Sequence, residues 1–333
     1  MEPQRIISYA EAINEALGQA LRLDNDVFVF GLGVDNPSGV LHTTVGLKEE
    51  FSSKRVFDTP ASESSMTGVA LGAALVGMRP VLVHQRLDFM LYSMDMLVNW
   101  AALWRCKSGG RSSTPFTIRA IVGKGWGQGP QHSKSLQAWF AHVPGLRVAM
   151  PGTPFDAKGL LMSSIFGEDP TIIIEGRPLF SMRENVPEKP YRVPFGQAAL
   201  RREGSDVTVV ALGSMVPTVL RAADRLEEHG LSTEVLDPRT VVPLDEEAIL
   251  KSVGKTGRLV IADPAWQSFG VSAEIGTRVA EKAFKYLKAP IARVAFPDVH
   301  SPTSAALEDL FYPDENTVVE AVKSVVANST AFP

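Results

Sequence analysis

The sequence is poor in cysteine, in positive charge and in long apolar runs. Cys106 is the one cysteine among 333 residues, which excludes an internal disulfide and any metal site built from several cysteines. The net charge of −4 at pH 7 provides no basic surface, so neither nucleic acid nor an anionic membrane is expected as a partner. No apolar run reaches the length of a membrane span, and residues 1–5 lead into a polar segment unlike a signal peptide. The expected compartment is the cytoplasm.

What is present fits two globular domains. Hydrophobic residues make up 45% of the chain and charged residues 21%, which is enough apolar material for two cores at this length. The stretch 177–194 contains four prolines and many charges, as interdomain linkers do. The sequence therefore predicts a first domain over 1–176, a linker over 177–194 and a second domain over 195–333.

Both halves alternate short apolar runs with longer amphipathic ones. Strands are predicted over 27–31, 54–57, 80–84, 115–120, 146–150, 171–175, 206–212, 232–236, 258–262 and 292–296. Helices are predicted over 8–23, 66–77, 88–106, 133–142, 154–166, 217–229, 245–253, 272–286 and from 316 onward. The helix over 88–106 is dense in large apolar residues, which predicts burial on all sides, either within this chain or against another subunit. The alternation predicts an α/β fold of two doubly wound domains with mostly parallel sheets.

The stretch 57–68 draws most attention, because Glu63 stands where a strand ends and a helix begins. In open α/β sheets, chemistry collects at that edge. Gly68 and Gly72 fall on one face of the helix and predict the close approach of another backbone. A plainer interpretation is that Ser62 caps the helix and Glu63 complements its dipole.

Three further features allow two interpretations each. The glycine-rich loop 123–129 matches neither the dinucleotide fingerprint nor the phosphate loop, so it is either a surface loop or a backbone approach to a ligand. His132 follows that loop at the same predicted sheet edge as Glu63, where it is either structural or catalytic. Phe89 and Tyr92 lie one helical turn apart, which favours plain core packing unless a flat ligand is present.

Eight longer motifs carry a family resemblance that extends from residue 8 to residue 326. They are RVFDTPASE (55–63), GVALGAA (68–74), SGG (108–110), QHS (131–133), AWFAHVPGL (138–146), DAKGLL (156–161), DPRTVVPLD (237–245) and FGVSAEI (269–275). Together they resemble the β subunits of thiamine-diphosphate-dependent 2-oxo acid dehydrogenases, the decarboxylating component of complexes such as pyruvate dehydrogenase. More distantly they resemble transketolase. The resemblance implies a transketolase-like pyrimidine-binding domain followed by a transketolase C-terminal domain.

The resemblance also implies roles for individual residues. Glu63 matches the glutamate that hydrogen-bonds the aminopyrimidine ring of thiamine diphosphate and supports the proton transfer that makes the cofactor nucleophilic. Phe89 matches the aromatic residue that stacks on that ring, and Tyr92 lies one turn further along the cofactor-binding segment. His132 matches an active-site histidine that shuttles a proton or stabilises charge.

The family's motif for the diphosphate and its metal ion is missing. That motif is Gly-Asp-Gly with a downstream asparagine, and no Gly-Asp-Gly occurs in the sequence. The resemblance therefore implies half an active site, with Mg²⁺ and the diphosphate held by a separate α subunit in an α₂β₂ assembly. Family β subunits also hold a monovalent cation such as K⁺ through backbone carbonyls. The matching positions are Phe116, Ser164, Ile165, Gly167 and Asp169.

Departures from the family pattern concern the substrate side. His84, Gln85 and Arg86 stand where these β subunits carry phenylalanine, methionine and threonine, and Tyr92 stands where they carry glutamine. The main expectation is cleavage of a carbon–carbon bond beside the carbonyl of a 2-oxo acid, with the acyl unit passed to a lipoyl group. The alternative is a split transketolase-like transferase that moves a two-carbon ketol unit to a sugar or a carrier protein, and the polar substrate side favours a hydroxylated donor. A third interpretation, an inactive structural partner, conflicts with the presence of both Glu63 and His132.

Overall fold

The computed structural model describes residues 5–124 and 127–328, which divide into two units. The first unit holds the chain up to Val122 together with Trp139–Phe195. The second holds Gly123–Ala138 together with the chain from Gly196 onward. The domain boundaries predicted at residues 176 and 194 stay a prediction, and the contacts group residues 177–195 with the first unit.

The apolar runs of the first half form a parallel sheet. The strands of the first unit are β1 (Ile6–Ser8), β2 (Val27–Gly31), β3 (Val56–Asp58), β4 (Arg79–His84), β5 (Thr117–Val122), β6 (Arg147–Ala149), β7 (Thr171–Gly176) and β8 (Arg183–Asn185). Six of them lie side by side in the order β6-β7-β5-β4-β2-β3, and each neighbouring pair is parallel. β1 and β8, which the sequence does not reveal, form a separate antiparallel pair.

Helices cover this sheet. The first of them in chain order are α1 (Tyr9–Leu23), α2 (Leu47–Phe51), α3 (Glu63–Leu75), α4 (Ala102–Lys107), α5 (Gln137–Ala141) and α6 (Pro154–Ile165). α1 begins with the predicted capping box, in which Ser8 Oγ accepts from the Glu11 amide at 3.2 Å and the Ser8 amide donates to the Glu11 carboxylate at 2.6 Å. On one face of the sheet, side chains such as Val29 and Val81 form one buried core with Leu17 of α1 and Leu160 of α6.

A buried ion pair stands in the middle of that apolar face. Arg119 of β5 donates to both carboxylate oxygens of Glu175 on β7, at 2.6 and 2.9 Å, and both side chains are only 1% exposed. Arg119 Nη2 also donates to Thr43 Oγ1 at 3.0 Å, so the loop between β2 and α2 is tied to the same pair. Charge-assisted, two-pronged contacts of this kind fix both distance and orientation.

The second unit repeats the α/β architecture. Its strands are β9 (Ala199–Arg202), β10 (Val207–Ala211), β11 (Thr233–Asp237), β12 (Thr240–Val242), β13 (Leu259–Trp266) and β14 (Ala292–Phe296). Its helices are α7 (Met215–Glu227), α8 (Glu246–Thr256), α9 (Val271–Ala283), α10 (Ala305–Phe311) and α11 (Glu315–Ala327). Five strands lie in the order β14-β13-β10-β11-β9, parallel except for β9 at the edge. The predicted fold class of two mostly parallel α/β domains is confirmed.

The predicted continuous helix over 88–106 is wrong in form. The segment is a 3₁₀ helix over Phe89–Ser93, a π-helix over Asp95–Ala101 and only then α4. Trp100 and Leu103 are exposed in this chain, so burial on all sides stays a prediction that depends on another subunit. Apolar residues occupy so many positions here that the pattern fits turns of three, four or five residues equally well, and it does not select the α-helical period. Within the described residues no helix is both long and apolar enough to cross a membrane.

Replacing Arg119 with methionine should destabilise the fold strongly. The change leaves the Glu175 carboxylate buried without its cation, which costs about 3–5 kcal/mol of unfolding free energy. Urea denaturation followed by circular dichroism measures this. Arg22→Met is the matched control, since the Arg22–Glu50 pair is equally two-pronged but lies on the surface and is worth about 0–1 kcal/mol. Equal losses in the two variants would contradict the importance of burial.

Candidate active site

The carboxyl ends of the parallel strands bring polar residues to one edge of the first sheet. Glu63 follows β3, His84 is the last residue of β4, Arg86 lies two residues beyond it, and Arg177 directly follows β7. Since all these strands run in one direction, their carboxyl ends share that edge. Ligands of open α/β sheets bind outside this edge.

Glu63 is the first residue of α3, and two hydroxyl groups fix its backbone. Thr67 Oγ1 donates to Ser93 Oγ at 2.8 Å, and Ser93 Oγ donates to the carbonyl oxygen of Glu63 at 2.8 Å. Both hydroxyl side chains are fully buried, whereas the Glu63 side chain is half-buried. Within residues 5–124 and 127–328 its carboxylate forms no hydrogen bond or ion pair. The backbone is thus held while the carboxylate remains available to a ligand.

One local expectation about α3 is wrong and one is left open by this chain. Ser62 does not cap the helix, because its hydroxyl donates to Ser65 Oγ at 3.0 Å and accepts from no helix amide. The expected approach of another backbone to Gly68 and Gly72 is not made by the described residues and stays a prediction for a partner chain. A Cβ at Gly68 would meet only Met96 Sδ at 3.6 Å, and at Gly72 nothing in the described chain lies within 4 Å. The reason is that this face of α3 points away from the described chain.

The loop after β2 is held by Asp58, at the end of β3, and by a glycine. The Asp58 carboxylate accepts from the amides of Gly33 at 3.2 Å and Asp35 at 3.0 Å. Gly31 has a φ of +146°, and a Cβ there would stand 2.2 Å from the carbonyl oxygen of Val83. Only glycine permits this approach of β2 to β4.

His84 is buried and neutral. It is 1% exposed, and burial lowers its pKa to about 4. Neither ring nitrogen has a hydrogen-bond partner among the described residues. Alternation along β4 places His84 on the sheet face opposite Val83, which belongs to the core formed with α1 and α6. Gln85, the next residue, is exposed.

Arg177 lies at this edge of the sheet, although sequence reasoning assigned it to the linker. It directly follows β7, whereas Arg86 follows β4, and both are partly buried. Burial lowers the pKa of Arg177, and the charge of Arg86 lowers it further. Burial also lowers the pKa of Arg86, against the opposing effect of the Asp88 carboxylate. The signal available in the sequence was the position of Arg177 at the end of a predicted strand.

Phe89 and Tyr92 do not pack together in a core. Both belong to the 3₁₀ helix that follows Arg86, but Phe89 is half-buried whereas Tyr92 is 74% exposed. Plain core packing is therefore wrong for Tyr92. Its exposed ring is available to a ligand or to another chain.

His132 belongs to the second unit, where its loop packs on residues near Thr303. Gly127 and Gly129 have φ of +61° and +65°, and a Cβ on either would stand 2.5 or 2.6 Å from an oxygen of Thr303. These glycines are therefore required for packing, and residues 125–126 of the predicted loop lie outside the described part. The His132 ring is half-buried, and its Nδ1 lies 3.2 Å from the carbonyl oxygen of Gln128.

Comparison with known proteins places this geometry in a family. Residues 5–182 match the pyrimidine-binding domain of transketolase, and residues 196–318 match the transketolase C-terminal domain. The pyruvate dehydrogenase E1 component subunit beta of Staphylococcus epidermidis is 42% identical over 321 residues, which is 96% of this chain and 98% of that protein. The chain belongs to the transketolase-like β subunits of thiamine-diphosphate-dependent 2-oxo acid dehydrogenases.

A second relative supports this family assignment, and a solved structure supports the fold. The beta subunit of acetoin:2,6-dichlorophenolindophenol oxidoreductase from Bacillus subtilis is 40% identical over 327 residues, covering 95% of this chain and 96% of that one. The solved structure titled split gene transketolase, inactive beta4 tetramer, has a TM-score of 0.80 and 24% identity, covering 97% of this chain and all of that one, and it shows the fold alone. The resemblance read from the motifs is confirmed, and so is the 2-oxo acid dehydrogenase interpretation over the transketolase alternative.

The five carbonyls expected to bind a monovalent cation each already accept one hydrogen bond. Arg79 Nη1 donates to Ile165 O at 3.2 Å and to Gly167 O at 2.8 Å. Phe116 O and Asp169 O accept from Thr171, and Ser164 O accepts from the amide of Gly167. A carbonyl oxygen has two lone pairs, so each can still ligate an ion. The donor set therefore fits K⁺ in number, although the positive charge of Arg79 opposes it.

The described residues offer no comparable set of side-chain ligands for a divalent ion. Among the described residues there is no group of three or more histidine, cysteine, aspartate or glutamate side chains that could hold a metal.

His84 should make stability depend on pH. Its pKa is about 4 in the folded chain and 6.5 ordinarily, so the unfolded chain takes up the proton first as the pH falls. The unfolding free energy is therefore unaffected by His84 above about pH 6.5 and falls by about 3 kcal/mol as the pH drops toward 4. Between pH 7 and pH 4.5, His84→Phe should lose less unfolding free energy than the wild type, by about 2–3 kcal/mol. His229→Gln, at an exposed histidine, is the control, and identical pH profiles for wild type and His84→Phe would contradict the burial argument.

Proposed function

We propose that this chain supplies the aminopyrimidine-binding half of an active site that decarboxylates a 2-oxo acid and passes the acyl unit to a lipoyl group. The observation that carries the proposal is the available carboxylate of Glu63, held at the carboxyl edge of the sheet in a chain of this family. When bound, thiamine diphosphate supplies the nucleophilic carbon and the electron sink for cleavage beside the carbonyl. We also propose that the protein is located in the cytoplasm, as its sequence predicts.

Glu63 acts in this proposal as the acid that donates a hydrogen bond to the aminopyrimidine ring. A carboxylic acid can share its proton with a ring nitrogen, whereas an amide cannot transfer one. The Thr67–Ser93 relay fixes the Glu63 backbone, so the start of its side chain is in place before the cofactor arrives. Phe89, half-buried in the following segment, provides the flat apolar surface for the ring, and Tyr92 contributes a hydroxyl group.

His132 acts in this proposal as a proton carrier toward the substrate. When Nδ1 holds the proton, it donates to the carbonyl oxygen of Gln128, which makes Nε2 the proton-accepting nitrogen. His84, Gln85 and Arg86 line the substrate side. K⁺, held by the carbonyls of residues 116, 164, 165, 167 and 169, is a structural ion in the proposal, and melting in KCl against choline chloride at equal ionic strength tests for it.

An α subunit completes the site in the proposed α₂β₂ assembly and holds Mg²⁺ with the diphosphate. The full sequence contains no Gly-Asp-Gly motif, so this chain does not provide that grip. An exposed apolar stripe of α3 and the residue after it, formed by Val69, Gly72 and Val76, fits a partner surface. Val76 is 78% exposed, and Trp100 and Leu103 are exposed on the neighbouring segment.

Replacing Glu63 with glutamine should abolish turnover without changing assembly. The loss expected for removing an acid–base group is about 10²- to 10⁴-fold in kcat. Exchange of the reactive thiazolium proton, followed by NMR in the assembled and cofactor-loaded enzyme, should slow in Glu63→Gln and stay fast in His132→Ala, whose loss of turnover is smaller. Near-normal exchange and activity in Glu63→Gln would contradict the proposed acid role and leave Glu63 only the stabilisation of the helix dipole.

Placing a charge on the α3 stripe should block assembly. We expect Val76→Asp, co-expressed with the α subunit, to elute as separate subunits in size-exclusion chromatography, because a buried unpaired carboxylate is costly at an interface. The wild-type chain alone should bind thiamine diphosphate weakly by calorimetry, even with Mg²⁺. Val299→Asp, at an exposed residue of the second unit, is the control. Tight cofactor binding by the isolated chain would contradict the half-site proposal.

A further inference from the structure

The segment that carries His132 is anchored at its far end by a buried side chain. Helix α5 begins at Gln137, five residues after His132, and the residues between them form neither helix nor strand. The Gln137 side chain is fully buried, and its Nε2 donates to Asp263 Oδ1 at 2.9 Å. A helix of five residues forms too few hydrogen bonds to be stable alone, so the position of α5 depends on tertiary contacts such as this one.

Asp263 is itself held by two elements of the second unit. It lies in β13, directly after Ala262, which is the last residue of that strand paired with β10, and it is fully buried. Its Oδ2 accepts from the amide of Ser272, the second residue of α9, at 2.9 Å. A Cβ at Gly270 would stand 3.0 Å from the same oxygen, so glycine there lets the start of α9 approach the carboxylate. Each carboxylate oxygen thus has a donor, one on α9 and one on Gln137.

The other polar side chains of the segment contribute differently. The hydroxyl groups of Ser133 and Ser135 are buried, but within the part of the chain that the structure describes neither has a hydrogen-bond partner. Lys134 Nζ donates to the carbonyl oxygen of Pro130, which belongs to the same loop. The contact with Asp263, in contrast, joins the segment to a strand of the sheet, because the Gln137 amide reaches across to β13.

His132 lies between two points of attachment. On its amino-terminal side, Gly129 packs on Thr303, where a Cβ at the glycine would stand 2.6 Å from Thr303 Oγ1. On its carboxyl-terminal side, Gln137 is held by Asp263. A loop attached at one point can still swing about it, whereas attachment on both sides restricts the backbone in between. The place of the imidazole ring therefore depends on both contacts.

We propose that Asp263 is a positioning residue for His132, which it holds in place through Gln137. The inference rests on the proposed function, in which His132 carries a proton toward the substrate. A proton carrier must lie within hydrogen-bond reach of the group it serves, and a displacement of about 1 Å can cost about 100-fold in rate. Loss of the Gln137 donor would leave a buried carboxylate oxygen unpaired, which is unfavourable, so the contact stays closed.

The test uses the enzyme assembled with its α subunit and loaded with thiamine diphosphate and Mg²⁺. Gln137→Met removes the donor and keeps an unbranched side chain of similar length. Combining Gln137→Glu with Asp263→Asn exchanges the two groups: an amide at position 263 donates to a carboxylate at position 137, and its oxygen still accepts from the Ser272 amide. Asp298→Asn is the matched control, because this exposed carboxylate also accepts from one amide and one side chain, both of Ser268.

Three quantities are measured in each variant. The first is kcat with an artificial electron acceptor, for whichever of pyruvate and 2-oxoisovalerate the wild type turns over faster. The second is exchange of the thiazolium proton, followed by NMR, which depends on Glu63 and not on His132 in the proposed function. The third is deuterium uptake by the backbone amides of residues 129–137, followed by mass spectrometry, which reports on the segment whether or not the enzyme turns over.

Gln137→Met should lower kcat about 10- to 100-fold, with thiazolium exchange unchanged and deuterium uptake over 129–137 raised. The exchanged pair and Asp298→Asn should both stay within about threefold of the wild type, because each keeps the hydrogen bonds of the Gln137–Asp263 contact. In an enzyme that already carries His132→Ala, Gln137→Met should cause no further loss of kcat, since its effect passes through the missing ring.

Losses that multiply when Gln137→Met and His132→Ala are combined would show that Gln137 acts elsewhere, which overturns the inference and leaves the proposed function. A loss of more than about tenfold in the exchanged pair would overturn it as well, even if Gln137→Met fails to assemble. If the wild type turns over neither 2-oxo acid, but uptake over 129–137 rises in Gln137→Met and returns to normal in the exchanged pair, anchoring by Asp263 is supported and the proposed function is overturned.

Discussion

The buried Arg119–Glu175 pair fixes the part of the sheet on which the site depends. It joins the middle of β5 to the penultimate residue of β7, and its third contact, to Thr43, holds the loop after β2. Removing two charges from water is expensive, so such a pair is stable only when each group keeps the other. Strand register, loop position and the direction in which the chain leaves β7 therefore follow from one contact.

The ends of several strands bring polar side chains to one edge of the sheet, and the Arg119–Glu175 pair joins two of those strands. Gly176 is the last residue of β7, and Arg177 directly follows it. Holding Glu175 in place therefore also holds the backbone position of Arg177. β4 is paired to the other side of β5, with His84 opposite Ala120, and this register carries Arg86 to the same edge. Side chains supplied from several strand ends can change chemistry while the sheet beneath them stays the same.

Sequence patterns predicted the strands and the Glu63 junction because both are local. A run such as Val27–Gly31 needs only its own apolar residues to be recognised, and Glu63 is marked by the strand before it and the helix after it. Pairing between distant segments leaves no such mark. β1 and β8 are only three residues long each, one of them apolar and the other charged, and nothing in either stretch points to the other.

Arg86 and Arg177 show the same limit at the site. Arg86 was recognisable by its place after β4, but its relation to Arg177 depends on β5 lying between β4 and β7, although β6 precedes β7 in the chain. The glycine loop was ambiguous for a similar reason, since Thr303, which requires Gly127 and Gly129, is far away in sequence. Strand order and long-range packing are properties of the folded chain, which periodicity does not encode.

Helix α3 joins the proposed catalysis to the proposed assembly. Glu63 is its first residue, and Val69, Gly72 and Val76 form its exposed stripe. Thirteen residues of α-helix extend about 20 Å, so a subunit that packs along the stripe reaches close to the carboxylate end of the same rigid rod. Without a partner, the stripe leaves apolar surface in water, and the Ser62 hydroxyl does not stabilise the first turn. In the proposed assembly, a partner that covers the stripe therefore contacts the same helix that carries Glu63, so one element serves both the proposed site and the proposed interface.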